Sequence, residues 1–533
     1  MKKQFLILLL TGPMCFSNSF SQKISFVSSN PVPFAYSKLG SVRGCAGVIN
    51  DSYYILENDY GSARDFKNNI TTYITCFSIS QGKMKFRLNL NEILAESKKE
   101  VDKIIFYDVI TWKDKIVGFY THKNASAKNF QVIAAIFDGN GNLIKPAIEM
   151  GTIQHESASG SFLGQGGLFV NGRNTLSVVH DFKYKITLDS SRLIMYSTPE
   201  GKEGNVKVLI YDPNLNLVQT VISALPIETK TADLYDFSLD NNGQLYFITK
   251  ANLSKSDKKN EKDDDNTFQL HLVDTKANNS LKSFPIVVNN KIINEAQIFL
   301  KNGNELFCFG TYHDADNKKS NGKTTGAFSA FFYANSANNF VTSQFDIPQS
   351  TRDDMEPYEK KSKDGLRQQF SLQDAFPDNN GGVYVVMKCD IIKVTVRGTT
   401  GALNSYEEQT FSNIFLYVSK DKKIKWLTGS NDFGKNAEMA TRIDRRMYYV
   451  RKDQFNYVFI RNWKVDNEPM GFFETNFDKD NGSFKQNLKF ICPIPSSLGD
   501  THTVDNTLYR LSENEFILTT AGGQLAFLKY KIE

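Results

Sequence analysis

One turn of the sequence carries the oxygen ligands that a calcium site would use. Asp478, Asp480 and Asn481, followed by Gly482, resemble the start of an EF-hand loop. Such a loop needs a bidentate glutamate at its twelfth position, where this chain has Lys489. The turn lies between two strand-like runs, as the other Asp/Asn/Gly turns do, so the pattern favours a β-hairpin turn. We predict no metal at this position.

A second group of carboxylates, Asp263, Asp264 and Asp265, lies in a polar run over residues 255–266. Hard cations bind such clusters, but the lysines of the same run supply counter-charges, so the composition is typical of a solvated loop. The glycines within residues 164–167 lack the sixth-position glycine and the following helix of a dinucleotide-binding loop. The sequence has no P-loop, H-E-x-x-H or G-x-S-x-G motif. We therefore predict no cofactor.

The six histidines show no spacing typical of helical metal ligands. His122 and His313 occupy equivalent places, just after the second strand of two repeated units, and a ring-shaped fold could bring such places together. Surface loops are the simpler interpretation, and both stay open from the sequence. A glycosidase needs only two carboxylates across a cleft, and 58 Asp and Glu residues do not single out a pair. Catalytic residues are therefore left unassigned. The other histidines are His155, His180, His271 and His502.

The cysteines show no C-x-x-C or other close metal spacing. Cys76, Cys308 and Cys389 lie in strand-like runs, where a cysteine usually behaves as a small buried hydrophobe. The alternative is one disulfide between Cys45 and Cys76, which are closest in sequence. The remaining two are Cys15 and Cys492.

Composition excludes several classes of protein. Hydrophobic residues make up 41% and charged residues 23%, which rules out a mostly disordered chain. The only strongly apolar run is at the N-terminus and is too short to cross a bilayer, so we predict no transmembrane segment. Lys and Arg number 63 against 58 Asp and Glu, and the basic runs are interleaved with acids. Nucleic-acid binders concentrate basic charge on one face, so we expect no nucleic-acid partner.

The N-terminus has the three-part order of a secretory signal peptide. Lys2 and Lys3 precede an apolar stretch over residues 5–10, and Ser19 and Ser21 form a small-x-small cleavage site. We predict that residues 1–21 are removed and that the exported protein begins at Gln22. A periplasmic or outer-envelope location follows.

Lipidation at Cys15 is the alternative to this cleavage. Residues 12–14 are Gly-Pro-Met, whereas a lipobox has small residues directly before the cysteine, so cleavage after Ser21 is preferred. The Ser-Gln junction and the Asn/Lys/Phe-rich composition resemble exported proteins of the Bacteroidota. That resemblance implies an envelope protein of such bacteria.

Beyond residue 22 the sequence reads as short β runs separated by Asn/Asp/Gly turns, with one short helix predicted over residues 90–99. A unit of four strands recurs seven times, over residues 47–90, 104–148, 186–223, 234–288, 296–347, 370–429 and 439–492. An eighth unit begins at Thr507 and stops one strand short. Residues 23–27 offer a spare strand that could complete it.

Repeated four-stranded units without intervening helices resemble a β-propeller. We predict an all-β fold in which residues 22–533 form a single propeller of four-stranded blades. Eight blades are favoured and seven stay open. The N-terminal strand should close the ring beside residues 525–532, because closure hides the edge strands. Tandem β-sandwiches are the alternative. No WD, kelch or Asp-box series indicates a particular propeller family.

The connections between strands predict two different ends of the disc. Turns between first and second strands, and between third and fourth strands, share one end and are short, as at residues 50–51, 138–141, 240–243, 301–304, 378–381 and 478–482. The other end receives the long insertions, at residues 61–69, 154–175, 251–266, 313–326, 351–369 and 397–409. Binding residues tend to lie on long loops held by a rigid scaffold, so the ligand is expected there.

The sequence is consistent with two functions. The first is an exported, non-catalytic binding or scaffold module of the cell envelope, whose partner is an envelope protein or a glycan on the long-loop face. The alternative is a carbohydrate-active or other hydrolase with carboxylates at the central channel. The absence of a catalytic signature favours binding.

Overall fold

The computed structural model shows an all-β protein built from repeated four-stranded antiparallel sheets. It describes residues 24–33, 40–59, 71–92, 104–124, 129–154, 183–197, 205–224, 232–251, 268–276, 279–316, 323–333, 339–355, 365–366, 370–389, 392–397, 403–408, 412–431, 445–451, 453–461, 471–484, 489–492, 502–512, 514–521 and 524–532.

The sheets follow one another along the chain as eight blades, numbered here in chain order. Strands β1 (Ile24–Ser28) and β2 (Val32–Pro33) precede them. Blade 1 contains β3 (Gly40–Ile49), β4 (Ser52–Asp59), β5 (Thr71–Ser78) and β6 (Met84–Asn89). Blade 2 contains β7 (Ile104–Trp112), β8 (Lys115–Asn124), β9 (Asn129–Asp138) and β10 (Leu143–Gln154). Blade 3 contains β11 (Lys183–Ile186), β12 (Leu193–Ser197), β13 (Asn205–Tyr211) and β14 (Leu217–Ala224).

Blade 4 contains β15 (Ala232–Leu239), β16 (Gln244–Ala251), β17 (Phe268–Asp274) and β18 (Ser280–Pro285). Blade 5 contains β19 (Lys291–Lys301), β20 (Glu305–Asp314), β21 (Gly326–Phe332) and β22 (Phe340–Asp346), and helix α1 (Gln349–Met355) follows it. Blade 6 contains β23 (Phe370–Pro377), β24 (Val383–Cys389), β27 (Ser412–Val418) and β28 (Ile424–Asn431), with a separate hairpin of β25 (Ile392–Arg397) and β26 (Leu403–Glu408). Blade 7 contains β29 (Arg445–Arg451), β30 (Gln454–Arg461), β31 (Gly471–Asn476) and β32 (Lys489–Cys492), and blade 8 contains β33 (His502–Arg510), β34 (Glu515–Ala521) and β35 (Gln524–Ile532).

Blade 8 is completed by the N-terminal strand, as predicted. Strand β1 pairs with β35 in an antiparallel register that runs from Ile24 opposite Ile532 to Ser28 opposite Leu528. The short strand β2 continues along β35, with Val32 opposite Leu525. The favoured count of eight blades is therefore confirmed, and seven is wrong. The alternative of tandem β-sandwiches is also wrong, because, among the described strands, the first strands of six of the eight successive blade pairs contact one another, including β33 with β3.

The core lies between neighbouring blades because each sheet buries both of its faces. In blade 1, Tyr54 and Leu56 pack toward blade 2, whereas Tyr53 and Ile55 pack against Phe527 of blade 8. Side chains alternate between the two faces of a strand, so both sets must be apolar. This explains the near-continuous hydrophobic runs of the second and third strands. Every residue of β21 is buried.

Three local predictions differ from the structure. The predicted units at 47–90, 186–223, 234–288 and 296–347 begin inside β3, β11, β15 and β19. The unit at 439–492 begins before β29, and the eighth unit, predicted from Thr507, begins inside β33. The long loop predicted over residues 397–409 includes the whole of the hairpin's second strand, β26, and helix α1 was not predicted. Of the predicted helix over residues 90–99, residues 90–92 form a turn and the remainder lies outside the described residues.

Cys45 and Cys76 are free thiols, so the disulfide alternative is wrong. Cys45 lies beside the core shared with blade 8, whereas Cys76 belongs to the core shared with blade 2, so the two thiols face opposite sides of their sheet. Burial raises the pKa of Cys45 to about 12 and that of Cys76 to about 11, which keeps both protonated and unreactive. Within the described residues, no helix is long and apolar enough to cross a membrane.

Candidate functional site

The strand order gives the disc a short-turn end and a long-loop end. The short-turn end carries the turns between first and second strands and between third and fourth strands. The long-loop end carries the remaining connections, including the β25–β26 hairpin and helix α1. Two connections of the short-turn end are longer than predicted. The chain between β21 and β22 extends over residues 333–339, and the chain between β31 and β32 extends over residues 477–488 and not only 478–482.

A repeated aspartate closes the turns of the short-turn end. The Asp138 carboxylate accepts hydrogen bonds from the backbone N–H of Asn140 and of Asn142, both at 2.8 Å. Asp212, Asp240 and Asp378 make the same pair of bonds to residues two and four positions later. Partial burial acts to raise the pKa of Asp138, but the hydrogen bonds from Asn142 and Asn140 hold that pKa below its ordinary value. These carboxylates are occupied in shaping the turns.

Asp478 belongs to this set of turn residues. Its Oδ1 accepts from the backbone N–H of Asp480 at 2.9 Å and of Asn481 at 3.0 Å. The hairpin-turn interpretation of this motif is thus confirmed. Among the described residues, no group of three His, Cys, Asp or Glu side chains is placed to hold a metal ion.

Aromatic side chains join the turns of adjacent blades at the same end. The Tyr54 hydroxyl of blade 1 donates to the Gly139 carbonyl of blade 2 at 2.6 Å. The indole N–H of Trp112 donates to the Ser190 carbonyl of blade 3 at 2.8 Å. Trp426 of blade 6 makes the corresponding bond into blade 7. These bonds satisfy buried polar groups between blades, so the short-turn end is a rigid base.

The central channel is lined by the first strands of the blades, and three of these strands carry an aspartate at one equivalent position. Asp108, Asp236 and Asp374 each lie four residues before the residue that starts the turn, beside a β-bulge. In each, the carboxylate accepts from the next backbone N–H, at 2.8 to 2.9 Å. A bulge re-aims the side chain of an inner strand, which in blades 2 and 4 directs the carboxylate toward a neighbouring blade.

Two of these aspartates bond adjacent blades together. Asp108 accepts from the Tyr184 hydroxyl of blade 3 at 2.6 Å. Asp236 is ion-paired with Lys185 of blade 3 and accepts from the Ile298 N–H of blade 5 at 2.8 Å. The Ile298 N–H lies on an edge strand and would otherwise lack a partner from its own blade. Both carboxylates are therefore structural.

Asp374 is the exception in this set. Asp374 lies in the middle of β23, where its side chain reaches solvent but has protein around it on most sides. The one hydrogen bond described for its carboxylate comes from the Ala375 N–H at 2.8 Å. The loss of hydration raises its pKa to about 6, against the bond from Ala375, which lowers it. An accessible carboxyl group with a pKa near neutrality can exchange protons with a bound molecule. A repeated spacing in the sequence could have pointed to Asp374. It lies four residues before Asp378, as Asp236 lies four residues before Asp240 in blade 4.

The histidines do not form a common site within the described residues. His122 and His313 lie near the ends of the second strands of blades 2 and 5, not after them, with two whole blades between. His313 Nδ1 lies 2.6 Å from Asn294 Oδ1, and burial lowers the pKa of its ring. His271 is fully buried between the Thr249 and Ser283 hydroxyls, at 2.8 Å from each, and burial lowers its pKa to about 4. Its role is structural.

A polar network covers the long-loop end of blade 5. Lys291 Nζ lies 2.5 Å from Asp314 and 3.0 Å from Asp346, and the buried Tyr312 hydroxyl donates to Asp346 at 2.8 Å. Gly326 makes this possible, because a Cβ there would lie 2.3 Å from the Tyr312 ring. The network anchors the strand ends from which two long loops leave.

Several sequence-derived candidates lie outside the described residues. These are Asp263, Asp264 and Asp265, the glycines within residues 164–167, His155 and His180, residues 61–69, and most of residues 154–175 and 251–266. The side chain of His502 is likewise not described.

The comparisons with known proteins do not assign this chain to a family. No family model matches the sequence, and no curated protein matches it. A protein of unknown function from Bacteroides caccae is 12% identical over 68% of this chain and 92% of its own, with a TM-score of 0.27. The β-propeller domain of the Trilobed protease from Pyrococcus furiosus is 8% identical over 85% of this chain and 98% of its own, with a TM-score of 0.35. Prolyl oligopeptidase B from Galerina marginata is 8% identical over 90% of this chain and 56% of its own, with a TM-score of 0.38.

Proposed function

We propose that the protein is an exported, non-catalytic binding or scaffold propeller of the bacterial cell envelope, with its partner at the long-loop end. One observation carries this proposal: the additions to the four-strand plan are segregated. The hairpin of β25 and β26 and helix α1 both lie at the long-loop end. At the short-turn end, the turn aspartates bind backbone N–H groups of their own turns, and hydrogen bonds join adjacent blades. A rigid base beneath long loops is the usual arrangement for a binding surface.

The hairpin is the sharpest place to test this proposal. A two-stranded sheet alone is marginally stable in water, so a partner that packs on it would order it further. Replacing residues 390–411 with a short Gly-Asn turn removes the hairpin and leaves the β24–β27 ladder intact. The matched control replaces the short turn at residues 275–279. The expected result is that the hairpin deletion loses retention of the partner from an envelope extract or a glycan array, at unchanged melting temperature. Normal retention by the deletion variant would contradict the proposal.

Export is tested separately. The Lys2-Lys3, apolar and Ser19-x-Ser21 order supports cleavage after residue 21. N-terminal sequencing of protein recovered from the envelope fraction should read Gln22 first. A mature chain that begins with a lipidated Cys15 would overturn this part.

The hydrolase alternative is supported by Asp374, the accessible channel carboxyl with a raised pKa. Against it, the other two equivalent aspartates, Asp108 and Asp236, are committed to interblade bonds, and a glycosidase needs a second free carboxylate. Asp374→Asn decides between the two functions. A hydrolytic activity on a glycoside panel that disappears in this variant would establish the enzyme, and partner retention unaffected by it would support binding.

A further inference from the structure

Asn413 of β27 is fully buried although its side-chain amide is unpartnered. Among the described residues, neither its amide nitrogen nor its amide oxygen has a hydrogen-bond partner. Burying a carboxamide in this way costs free energy, because each unpaired donor or acceptor has lost its hydrogen bonds to water. Such groups are uncommon in folded proteins, so this one requires an explanation.

The repeat shows that the fold does not need a polar residue at this position. In blades 2, 4 and 6 the equivalent residue of the third strand pairs with the second strand two positions beyond the partner of the first-strand aspartate. That residue is Val132 in blade 2, Phe268 in blade 4 and Asn413 in blade 6. Val132 and Phe268 are fully buried in the apolar core that faces the next blade. Asn413 therefore stands where the other two blades have an apolar core residue.

Asn413 also marks the place where blade 6 departs from the four-strand plan. The hairpin of β25 and β26 leaves blade 6 after Cys389 and returns at Ser412. Asn413 and Lys388 form the last pair of the β24–β27 ladder, so they lie at the base of this hairpin. The next residue on the same face of β27 is Phe415, which is buried among aromatic side chains of blades 6 and 7. The carboxamide thus lies at the long-loop end of an aromatic core.

The hydrogen-bonding groups of Asn413 select the ligand. Its carboxamide needs a partner with both a donor and an acceptor, and a carboxylate is an acceptor only. A sugar hydroxyl offers both, but its ring carries further hydroxyls that an aromatic core would leave unpaired. A secondary amide has one N–H and one C=O, and a single carboxamide pairs with both. An amide that ends in a methyl group can reach an enclosed side chain end-on, whereas a main-chain peptide bond has chain on both sides.

We propose that Asn413 binds the acetamido group of an N-acetylated amino sugar at the base of the hairpin. The inference rests on the proposed binding function and names a glycan as the partner. An enclosed carboxamide is reached only when the chain around it moves, and the hairpin joins blade 6 directly beside the Lys388–Asn413 pair. A residue that binds a ligand at a cost in stability is a common compromise in proteins.

The test uses the full exported chain and isothermal titration. It compares N,N′-diacetylchitobiose with cellobiose, which has the same rings and linkage but hydroxyl groups in place of the acetamido groups. Wild-type protein should bind the first sugar and not the second. Asn413→Leu keeps the number of side-chain atoms and removes both hydrogen-bonding groups, so it should weaken binding about tenfold or more. Its melting temperature should rise or stay the same, because an apolar residue replaces an unpartnered amide.

Asn456→Leu is the matched control. Asn456 is also buried, but its amide donates to the Gln454 carbonyl at 2.7 Å. This variant should lower the melting temperature and bind diacetylchitobiose as the wild type does. If Asn413→Leu lowered the melting temperature as much as Asn456→Leu does, the Asn413 carboxamide would be satisfied within the fold, and the inference would be rejected.

The sugar titrations separate this inference from the proposed function. Wild-type protein that binds neither sugar, that binds cellobiose equally well, or that prefers acetyl-triglycine amide to diacetylchitobiose would overturn the inference. In each of these cases, a partner retained by the wild type and lost on deletion of residues 390–411 would still support the proposed function.

Discussion

Ser29 and Phe527, which are 498 residues apart, exchange two hydrogen bonds at the closure of the ring. The Phe527 N–H donates to Ser29 Oγ at 2.8 Å, and the Ser29 N–H donates to the Phe527 carbonyl at 2.9 Å. The next residue, Asn30, donates its N–H to the Gly82 carbonyl of blade 1 at 2.7 Å. Gly82 has a φ of +63°, and a Cβ there would lie 3.1 Å from Ser29 Cα. The N-terminal segment thus joins the last blade to the first.

Ser29→Ala should destabilise the protein although it removes a single hydroxyl. The Phe527 N–H would lose its acceptor in a buried place, which costs about 1–3 kcal/mol. Deleting residues 22–28 should cost far more, since it exposes the edge of β35. Urea unfolding measures both, with Gln344→Ala as a surface control expected to change stability by less than about 0.5 kcal/mol. An unchanged unfolding midpoint in the deletion would count against closure by β1.

The turn aspartates should differ in importance according to their burial. Asp378 is 6% exposed and also accepts from the Tyr417 hydroxyl at 2.8 Å, so Asp378→Ala leaves several buried donors unpaired and should cost about 3 kcal/mol. Asp138 is half-buried at a turn where water can replace the carboxylate, and Asp138→Ala should cost about 1 kcal/mol. Chemical denaturation of the two variants checks this order, and equal losses would contradict it.

Asp374 should make the protein more stable as the pH falls from about 6 toward 4. Its folded-state pKa of about 6 lies above the ordinary aspartate value, so the folded state binds the proton more tightly than the unfolded state does. Asp374→Asn should therefore raise the melting temperature at pH 7.5, and this gain should disappear as the pH falls through that window. A gain that does not depend on pH would show that Asp374 is not enclosed.

Asp346 provides a control, because its replacement should change the melting temperature in the direction opposite to that of the Asp374 variant. Burial acts to raise its pKa, but the Tyr312 hydroxyl and Lys291 hold it below the ordinary value. Asp346→Asn should lower the melting temperature at neutral pH, and the loss should fade only below about pH 4, when the carboxylate of the wild-type protein becomes protonated. Parallel curves for the Asp346 and Asp374 variants would contradict both assignments.

His271 should weaken the fold in acid. Burial lowers its pKa to about 4, so the folded state resists protonation that the unfolded state accepts near pH 6.5. Stability is expected to fall by at most about 3 kcal/mol between these two pH values. His271→Gln should lack this component, so the stability difference between wild type and variant should shrink as the pH falls from 6.5 to 4. A constant difference would mean that the ring is not buried as described.

The repeat of four strands and the missing last strand were readable from the sequence because both follow from periodicity. Short alternating runs and Asp/Asn/Gly turns are local signals. The eighth unit contains only three strands, so a count of strands was enough to predict that residues 23–27 supply the fourth. The starts of β7 and β23 were readable, but those of several other first strands were not. In β3 and β19, whose predicted units began inside the strand, bulges interrupt the alternation of buried and exposed residues.

The hydrogen-bonding partners and pKa values of the first-strand aspartates could not be predicted from the sequence, for a different reason. Asp236 and Asp374 stand in equivalent places in similar strands, yet one is ion-paired with Lys185 and the other is accessible with a raised pKa. That difference is set by what the adjacent blades contribute, and those blades are distant in sequence. The separation of Cys45 from Cys76 likewise depended on which face each residue occupies.

The pairing of β1 with β35 also fixes an order of events. A ribosome adds about 5–20 residues per second, so the first strand of the fold waits roughly 25–100 s before its neighbour exists. Throughout synthesis the finished blades form an open arc, and the ring cannot close before β35 has been made. Loop closure over such a span is slow, because distant contacts form late. The nascent protein therefore spends its most aggregation-prone period with one strand unpaired, and that strand is the one made first.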